Sequence, residues 1–302
     1  MPNTQDVTII YHASCLDGFC SAYVLWMKHG EDFTEYLPVH YGQPAPEAQG
    51  NQLYIVDFSY DLEVLEQYAR NFDQVVVLDH HKSAVEKLIT QAKEATGYDI
   101  QESGQETIIQ KHKLFIKLNM EKSGARLTWE FMNCSMGSGN VEALVQYTED
   151  RDLWNWKYPA TINVDRALRA TDWNFGVWAE LDISELIDKG KVINEYLAHK
   201  IKGILKRTVG EDGAILTGVV TPFGFLPCLN NTHGDIISDL LHEICNLTGK
   251  PAMSWFYDGV AKKYRYSIRS TAECYIKART VAEFYNGGGH ENAAGFEREL
   301  ML

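Results

Sequence analysis

The chain has 302 residues, with 41 acidic and 28 basic side chains and a net charge of −13 at pH 7. That length has room for two domains with separate cores, and the acidity disfavours long nucleic acid, which is normally drawn to basic surfaces. No apolar run approaches the roughly 18 residues of a membrane span. Met1-Pro2-Asn3-Thr4-Gln5-Asp6 lacks the basic-then-apolar pattern of a signal peptide, and the six scattered cysteines (15, 20, 134, 228, 245 and 274) form no CxxC pair, so a reducing cytoplasm is expected.

Strands and helices alternate in the first third. Val7 to Tyr11 reads as a buried strand and Gly18 to about His29 as a helix, with Phe19, Ala22, Tyr23 and Trp26 at helical spacing. Leu53 to Val56 is a second strand, Asp61 to Asn71 a helix, Val75 to Leu78 a third strand, and Ser83 to about Ala95 a helix. Such repetition implies right-handed crossovers and a parallel sheet. Further along, Leu114 to Ile116 is a short strand, Gly124 to Met132 a helix capped near Ser123, Ser135 to Asn140 a loop, and Val141 to Tyr147 a helix.

Residues 191 to 207 are amphipathic and helical, and read as a connector. The turn Gly210-Glu211-Asp212-Gly213 then opens a second domain. Its strands are Ile215 to Val220, Ala252 to Tyr257 and Tyr264 to Ile268, and its helices Ile236 to Leu247, with a cap at Gly234-Asp235-Ile236, and Thr280 to Tyr285. The expected fold class is α/β: a mainly parallel N-terminal sheet flanked by helices (1–190), a linker helix (191–208) and a smaller α/β C-terminal domain (209–302).

Each early strand ends in polar, metal-competent residues. The first gives His12, Cys15 and Asp17, the second Asp57 with Ser59, and the third Asp79-His80-His81; Glu149-Asp150-Arg151-Asp152 follows later. One acidic strand end is ordinarily a helix cap. Three on one sheet edge are harder to explain so, because converging carboxylates and imidazoles need a cation to hold them. A pair of divalent ions about 3.5–4 Å apart would serve. The mixed oxygen and nitrogen donors suit manganese, with magnesium, cobalt or zinc as competitors. In the second half, Gly287-Gly288-Gly289-His290 brings backbone N–H groups within reach of an anion, and Arg269-Ser270 adds a phosphate fork; a tight turn explains the glycines equally well. Trp154, Trp156, Tyr158, Trp173 and Phe175 fit packing better than base stacking.

These residues, taken together, resemble the DHH phosphoesterase superfamily with its DHH-associated C-terminal domain. Tyr11 to Phe19 resembles the family's first motif, Val56-Asp57-Phe58-Ser59 its second, Asp79-His80-His81 its third and Asp150 its fourth, with Asp152 as the alternative match. Gly287 to Phe296 resembles the signature of the C-terminal domain. The resemblance is nearest to the nanoRNase-like oligoribonucleases, with RecJ-type exonucleases more distant.

The resemblance implies two metals, with Asp57 bridging, with Asp17, His80 and Asp150 completing one site, and with His12 at the other. Asp79 and His81 join Asp57 as catalytic residues, His81 facing the scissile phosphate. Arg269, Ser270, Gly288, Gly289 and His290 would grip the substrate. Cys15 stands where the commoner motif has a second aspartate, so it is either a softer ligand or a packing residue. The implied activity is exonucleolytic or phosphodiesterase cleavage of short single-stranded oligonucleotides or small nucleotides to mononucleotides, with no duplex or membrane partner. Alternatives are a phosphatase on 3′,5′-bisphosphonucleosides, a cyclic-nucleotide phosphodiesterase, a polyphosphatase, or a non-catalytic nucleotide-binding module. Oligomeric state stays open, a homodimer included.

Overall fold

The computed structural model describes residues 6–132, 139–230 and 234–302. Contacts divide them into two compact units, 1–193 and 194–302. Among the described residues no helix is long and apolar enough to cross a membrane.

The first unit is built on a seven-stranded sheet of order β2-β1-β3-β4-β7-β6-β5. Its strands are β1 (Val7–His12), β2 (Thr34–Val39), β3 (Gln52–Val56), β4 (Gln74–Asp79), β5 (Asp99–Ser103), β6 (Glu106–Lys111) and β7 (Leu114–Asn119). The first four and β7 run parallel; β6 and β5 add an antiparallel hairpin at one edge. Helices α1 (Leu16–His29), α2 (Leu62–Asn71), α3 (Lys82–Glu94) and α4 (Gly124–Phe131) flank the sheet. Next come α5 (Gly139–Asp152), α6 (Thr161–Arg169), α7 (Phe175–Ala179) and α8 (Ile183–Thr208), the last a continuous 26-residue helix that contributes residues to both units.

Side-chain alternation along the strands explains the layers. Ile10, Leu53, Ile55, Val75 and Val77 enter one core with Leu65 of α2 and Leu88 of α3. Ile9, Tyr54, Val56, Val76 and Leu78 enter the other with Leu25 of α1 and Leu127 of α4. Both faces are thus buried, so the strands read as continuous apolar runs rather than as alternating ones. Because β2 and β3 flank β1 on opposite sides, the strand order reverses there. A crevice opens outside the carboxyl ends of strands at such a switch point.

Three expectations change at this level. The edge strand β2 is additional to the expected strands; Thr34, Glu35 and Pro38 dilute its apolar content, as edge positions allow. The exposed β5 has one apolar residue, Ile100. Of the expected loop Ser135 to Asn140, residues 135–138 lie outside the described residues, and Gly139 and Asn140 belong to α5. Residues 1–5 and Cys134 also lie outside them.

The second unit carries a six-stranded sheet of order β12-β13-β11-β10-β9-β8. The strands are β8 (Gly218–Thr221), β9 (Gly224–Asn230), β10 (Ala252–Asp258), β11 (Lys263–Arg269), β12 (Gly288–His290) and β13 (Ala293–Arg298). Only β9 and β10 pair in parallel, joined across α9 (Ile237–Thr248); α10 (Ala278–Phe284) precedes the last hairpin. Its core includes Leu226, Met253, Tyr266, Ile268, Val281 and Phe296.

Candidate metal centre

The centre lies at the carboxyl ends of β1, β3 and β4, where the strand order reverses. β1 ends in His12, and α1 starts four residues later with Cys15 as its N-cap residue. A methyl group on Gly18 would come 2.3 Å from the His12 carbonyl oxygen, so glycine is needed for so short a link. Asp17 then sits in the first turn of α1, buried. Its carboxylate accepts from the backbone N–H groups of Gly124 (2.5 Å) and Ala125 (3.0 Å). These belong to the start of α4, where N–H groups and the helix dipole favour an anion. Ser123 caps α4 by accepting from Arg126 N.

Asp57 follows β3 with a φ of 52°. Left-handed backbone costs a non-glycine residue about 1 kcal/mol or more and persists where the surroundings enforce it. Asp57 N still donates to Leu78 O at 2.9 Å, which fixes it to the end of β4. On the other side the first residue of α4 presses against it: a methyl group on Gly124 would lie 2.5 Å from Asp57 Cβ.

Asp79 closes β4 and holds both histidines after it. Its Oδ1 accepts from His80 N (2.8 Å) and His81 N (3.2 Å) and lies 2.8 Å from His81 Nδ1, while its Oδ2 accepts from Ser59 Oγ at 2.6 Å. Asp79 therefore orients the His80-His81 pair, and His81 turns its Nε2 away from it.

His80 Nε2 stands among three carboxylates: 3.0 Å from Asp57 Oδ1, 3.6 Å from Asp17 Oδ2 and 3.6 Å from Asp152 Oδ2. The other Asp57 oxygen, Oδ2, faces His12 Nδ1 at 3.5 Å, and His81 Nδ1 lies 3.7 Å from Asp57 Oδ1. Two groups with the spacing of metal ligands result within this unit, Asp17–His80–Asp152 and His12–Asp57–His81. Asp57 stands against both. His12 Nδ1 and Asp57 Oδ2 are buried and make no hydrogen bond. Buried polar atoms without partners are rare enough to need a cause, and a cation between them would supply the missing contact. The oxygen and imidazole donors fit a hard or borderline divalent ion.

Electrostatics agree with that fit. Burial, then Asp57 and Asp152, push the Asp17 carboxyl well above its usual range. Burial likewise raises Asp152 against the opposing pull of His80. At Asp57 burial is outweighed by the imidazole of His12 facing one oxygen and the hydrogen bond with His80 on the other, which hold its carboxyl well down. Asp79 is also lowered: burial opposes, but the His81 charge prevails. Burial works against protonated imidazole, yet the Asp57 hydrogen bond and the surrounding carboxylates raise His80 to about 10, and Asp79 raises His81. Carboxylates that cannot all ionise together gain most from a bound cation.

The structure separates the two fourth-motif candidates. Asp150 is buried away from the cluster, where its carboxylate accepts from Lys157 N (2.8 Å), Tyr158 N (3.2 Å) and the Thr161 hydroxyl. It ties down the turn between α5 and α6, and Asp152 occupies the place expected of Asp150. A signal was present in the sequence: Val141, Val145 and Thr148 define one face of α5 at helical spacing, and Asp152 continues it while Asp150 points opposite. Cys15 is half-buried and joins neither ligand group. Burial raises its thiol well up, as do Asp57, Asp152 and Asp17. Tyr41, on the loop after the unforeseen β2, stands edge-on to His12 (5.4 Å between centroids) and His81 (5.6 Å).

Of the aromatic residues expected to pack, Trp173 and Phe175 do so, whereas Trp156 is exposed. Trp173 and Phe175 lie on Phe19 at 5.6 and 4.8 Å. The rings of Trp154 and Trp156 sit 4.2 and 5.0 Å from the Arg151 guanidinium.

In the second unit, Arg269 pairs with Ala293, and Ala293 with His290, so Arg269 and His290 share one end of the sheet. Arg269 donates to Ile268 O (2.9 Å) and Ser238 Oγ (2.8 Å). Ser270 Oγ donates to Asn292 Oδ1 and accepts from Ala278 N, both at 2.9 Å. The glycine run enters strand β12 at Gly288 rather than forming a tight turn. A methyl group on Gly287 would meet Gly295 O at 2.1 Å, and one on Gly289 (φ 136°) would meet Ala293 O at 2.7 Å; only Gly288 faces open space.

The profile of the DHHA1 domain matches residues 220–299. Residues 220–299 thus carry a DHHA1 domain. The uncharacterized protein R106 of Acanthamoeba polyphaga mimivirus is 24% identical over 308 residues, covering 95% of this chain, which spans 66% of that relative's length. Two solved structures share the fold. RecJ of Thermus thermophilus in complex with Mn2+ has a TM-score of 0.52 at 14% identity, covering 97% of this chain and 49% of that one. An exopolyphosphatase-related protein of Bacteroides fragilis has a TM-score of 0.50 at 14% identity, covering 99% of this chain and 88% of that one.

Proposed function

We propose that the chain is a metal-dependent phosphodiesterase of the oligoribonuclease type, which hydrolyses short oligonucleotides to mononucleotides. The observation that carries this reading is Asp57, whose two oxygens face two groups of ligand-type side chains from opposite sides. Asp17, His80 and Asp152 would hold one divalent ion, His12 the other, and Asp57 would bridge them. Manganese suits these donors, and the Mn2+ bound by the RecJ relative agrees with that choice. Bound there, the ions would lower the pKa of a shared water toward ~7 and bind the phosphate.

The protein's own side chains would do the rest. Asp79 fixes the His81 ring through Nδ1 and favours its protonated form. His81 would then donate to a phosphoryl oxygen or to the leaving group. Arg269, Ser270, Gly288, Gly289 and His290 would grip the substrate from the second unit, with Gly288 offering open backbone.

The test is a substrate panel with manganese: dinucleotides, 3′,5′-bisphosphonucleosides, cyclic dinucleotides and polyphosphate, with products separated by chromatography. Mononucleotides from dinucleotides are expected, and none from Asp57→Asn. Inorganic phosphate as the main product would replace this reading with a phosphatase or polyphosphatase.

A further inference from the structure

Beside the centre, the loop after β2, the residues after β3 and the first turns of α3 line a cleft of about 560 Å3. That lies within the roughly 300–1,000 Å3 of small-molecule sites. Tyr41 and Phe58 form one wall, their rings stacked at 4.3 Å and 28°. Phe58 is buried, whereas Tyr41 keeps 46% of its surface exposed. Since Tyr41 also contacts the rings of His12 and His81, the cleft begins where the centre ends. Ser59, which holds Asp79, lines it too.

Two features indicate what fits. Lys87, the cleft's ammonium group, is matched by Asp61 at 2.7 Å, so the lining offers aromatic surface rather than the uncompensated positive charge a polyanion needs. Tyr60 lines the cleft, and its hydroxyl is buried without a hydrogen-bond partner. A flat, neutral ring with a polar edge satisfies both the stacking wall and the stranded hydroxyl.

We infer that this cleft receives the nucleobase of the nucleotide whose phosphate lies at the Asp57 centre, with Tyr41 as the stacking wall and Tyr60 bonding the base's polar edge. The inference rests on the nucleotide substrate proposed above. It makes the first unit a reader of the base as well as the cutter, and it explains why a chain with a net charge of −13 would prefer short nucleotides to polyphosphate.

The experiment compares a dinucleotide with analogues that carry an abasic sugar at either position, for wild type, Tyr41→Ala, Tyr41→Phe and Tyr60→Phe. Loss of one stacked base is worth about tenfold or more, so KM for the dinucleotide should rise by about that factor in Tyr41→Ala and recover in Tyr41→Phe. With one of the two abasic analogues the losses should fail to add, because the base that Tyr41 holds is already gone. Tyr60→Phe should raise KM severalfold without changing thermal stability. Unchanged KM in Tyr41→Ala, or an equal further loss on both abasic analogues, overturns the inference. Should wild type cleave no dinucleotide, the proposed activity fails, and the cleft is decided separately by saturation-transfer NMR with adenosine. Binding lost in Tyr41→Ala and kept in Tyr41→Phe supports it; no binding to wild type rejects it.

Discussion

Gly124 and Asp57 touch so closely that the glycine has no room for a methyl group: a Cβ there would stand 2.5 Å from Asp57 Cβ and 3.0 Å from Asp17 Oδ2. The start of α4 is thereby wedged between two site carboxylates. Gly124→Ala should cost about 1–3 kcal/mol through overpacking. It should also abolish the rise in melting temperature expected of wild type with Mn2+, which calorimetry with and without the ion would show. A variant that melts lower yet keeps the full Mn2+ response would mean the wedge serves stability alone.

Asp150 and Asp152, two residues apart, should fail in different ways. Asp152→Asn removes a carboxylate from the His80 group and should weaken Mn2+ binding by at least about tenfold, with the metal-free fold as stable as before. Asp150→Ala leaves two backbone N–H groups and the Thr161 hydroxyl without their acceptor and should cost about 1–3 kcal/mol. Titration calorimetry and urea unfolding on both variants separate the two effects. The opposite pattern would return the ligand role to Asp150.

The metal-free protein should lose stability as pH rises. His80 is raised from 6.5 to about 10, so its stabilisation is complete below about 6.5 and is lost as pH climbs through about 10. Asp17 and Asp152, also raised, bind protons more tightly folded than unfolded, so they add to the same decline from their ordinary carboxylate range upward. Asp57 and Asp79 are lowered and act in the opposite sense, losing stabilisation only in acid. Melting temperature followed from pH 6 to 10 in EDTA should therefore fall, and excess Mn2+ should flatten the curve. A metal-free curve that rises over this interval would refute the charge arrangement.

Cys15 should behave as a sluggish thiol. Burial and three carboxylates keep it protonated, and the thiolate is the reactive form. In EDTA at pH 7.5 its alkylation by iodoacetamide, followed by peptide mass spectrometry, should be much slower than that of free cysteine. Asp57→Asn should speed it. Labelling at the rate of a free thiol would place Cys15 outside the field of the cluster.

Much of this was legible in the chain itself because the signals are local. The buried strands β1, β3 and β4 are short apolar runs, and each ends abruptly in His12, Asp57 or Asp79. Topology alone then gathers those ends on one edge. What the sequence hid depends on distant packing. Nothing near Asp150 reveals that Lys157 and Tyr158 fold back to occupy it, and nothing near Gly124 shows that Asp57 lies against it. Tyr41 follows β2, whose half-exposed residues lack a clean strand pattern, so nothing nearby marks it as a site residue. The glycines at 287 and 289 looked like an anion loop because close backbone packing and anion binding demand the same residue.

The carboxylates around His80 Nε2 come from chain segments as far apart as Asp17 and Asp152, the latter at the end of α5. During synthesis the emerging strands would place His12, Asp57 and His80 together well before the final carboxylate leaves the ribosome. The order of the segments therefore imposes a sequence of events on maturation: the scaffold first, and the Asp17–His80–Asp152 group only after about half the chain has been made.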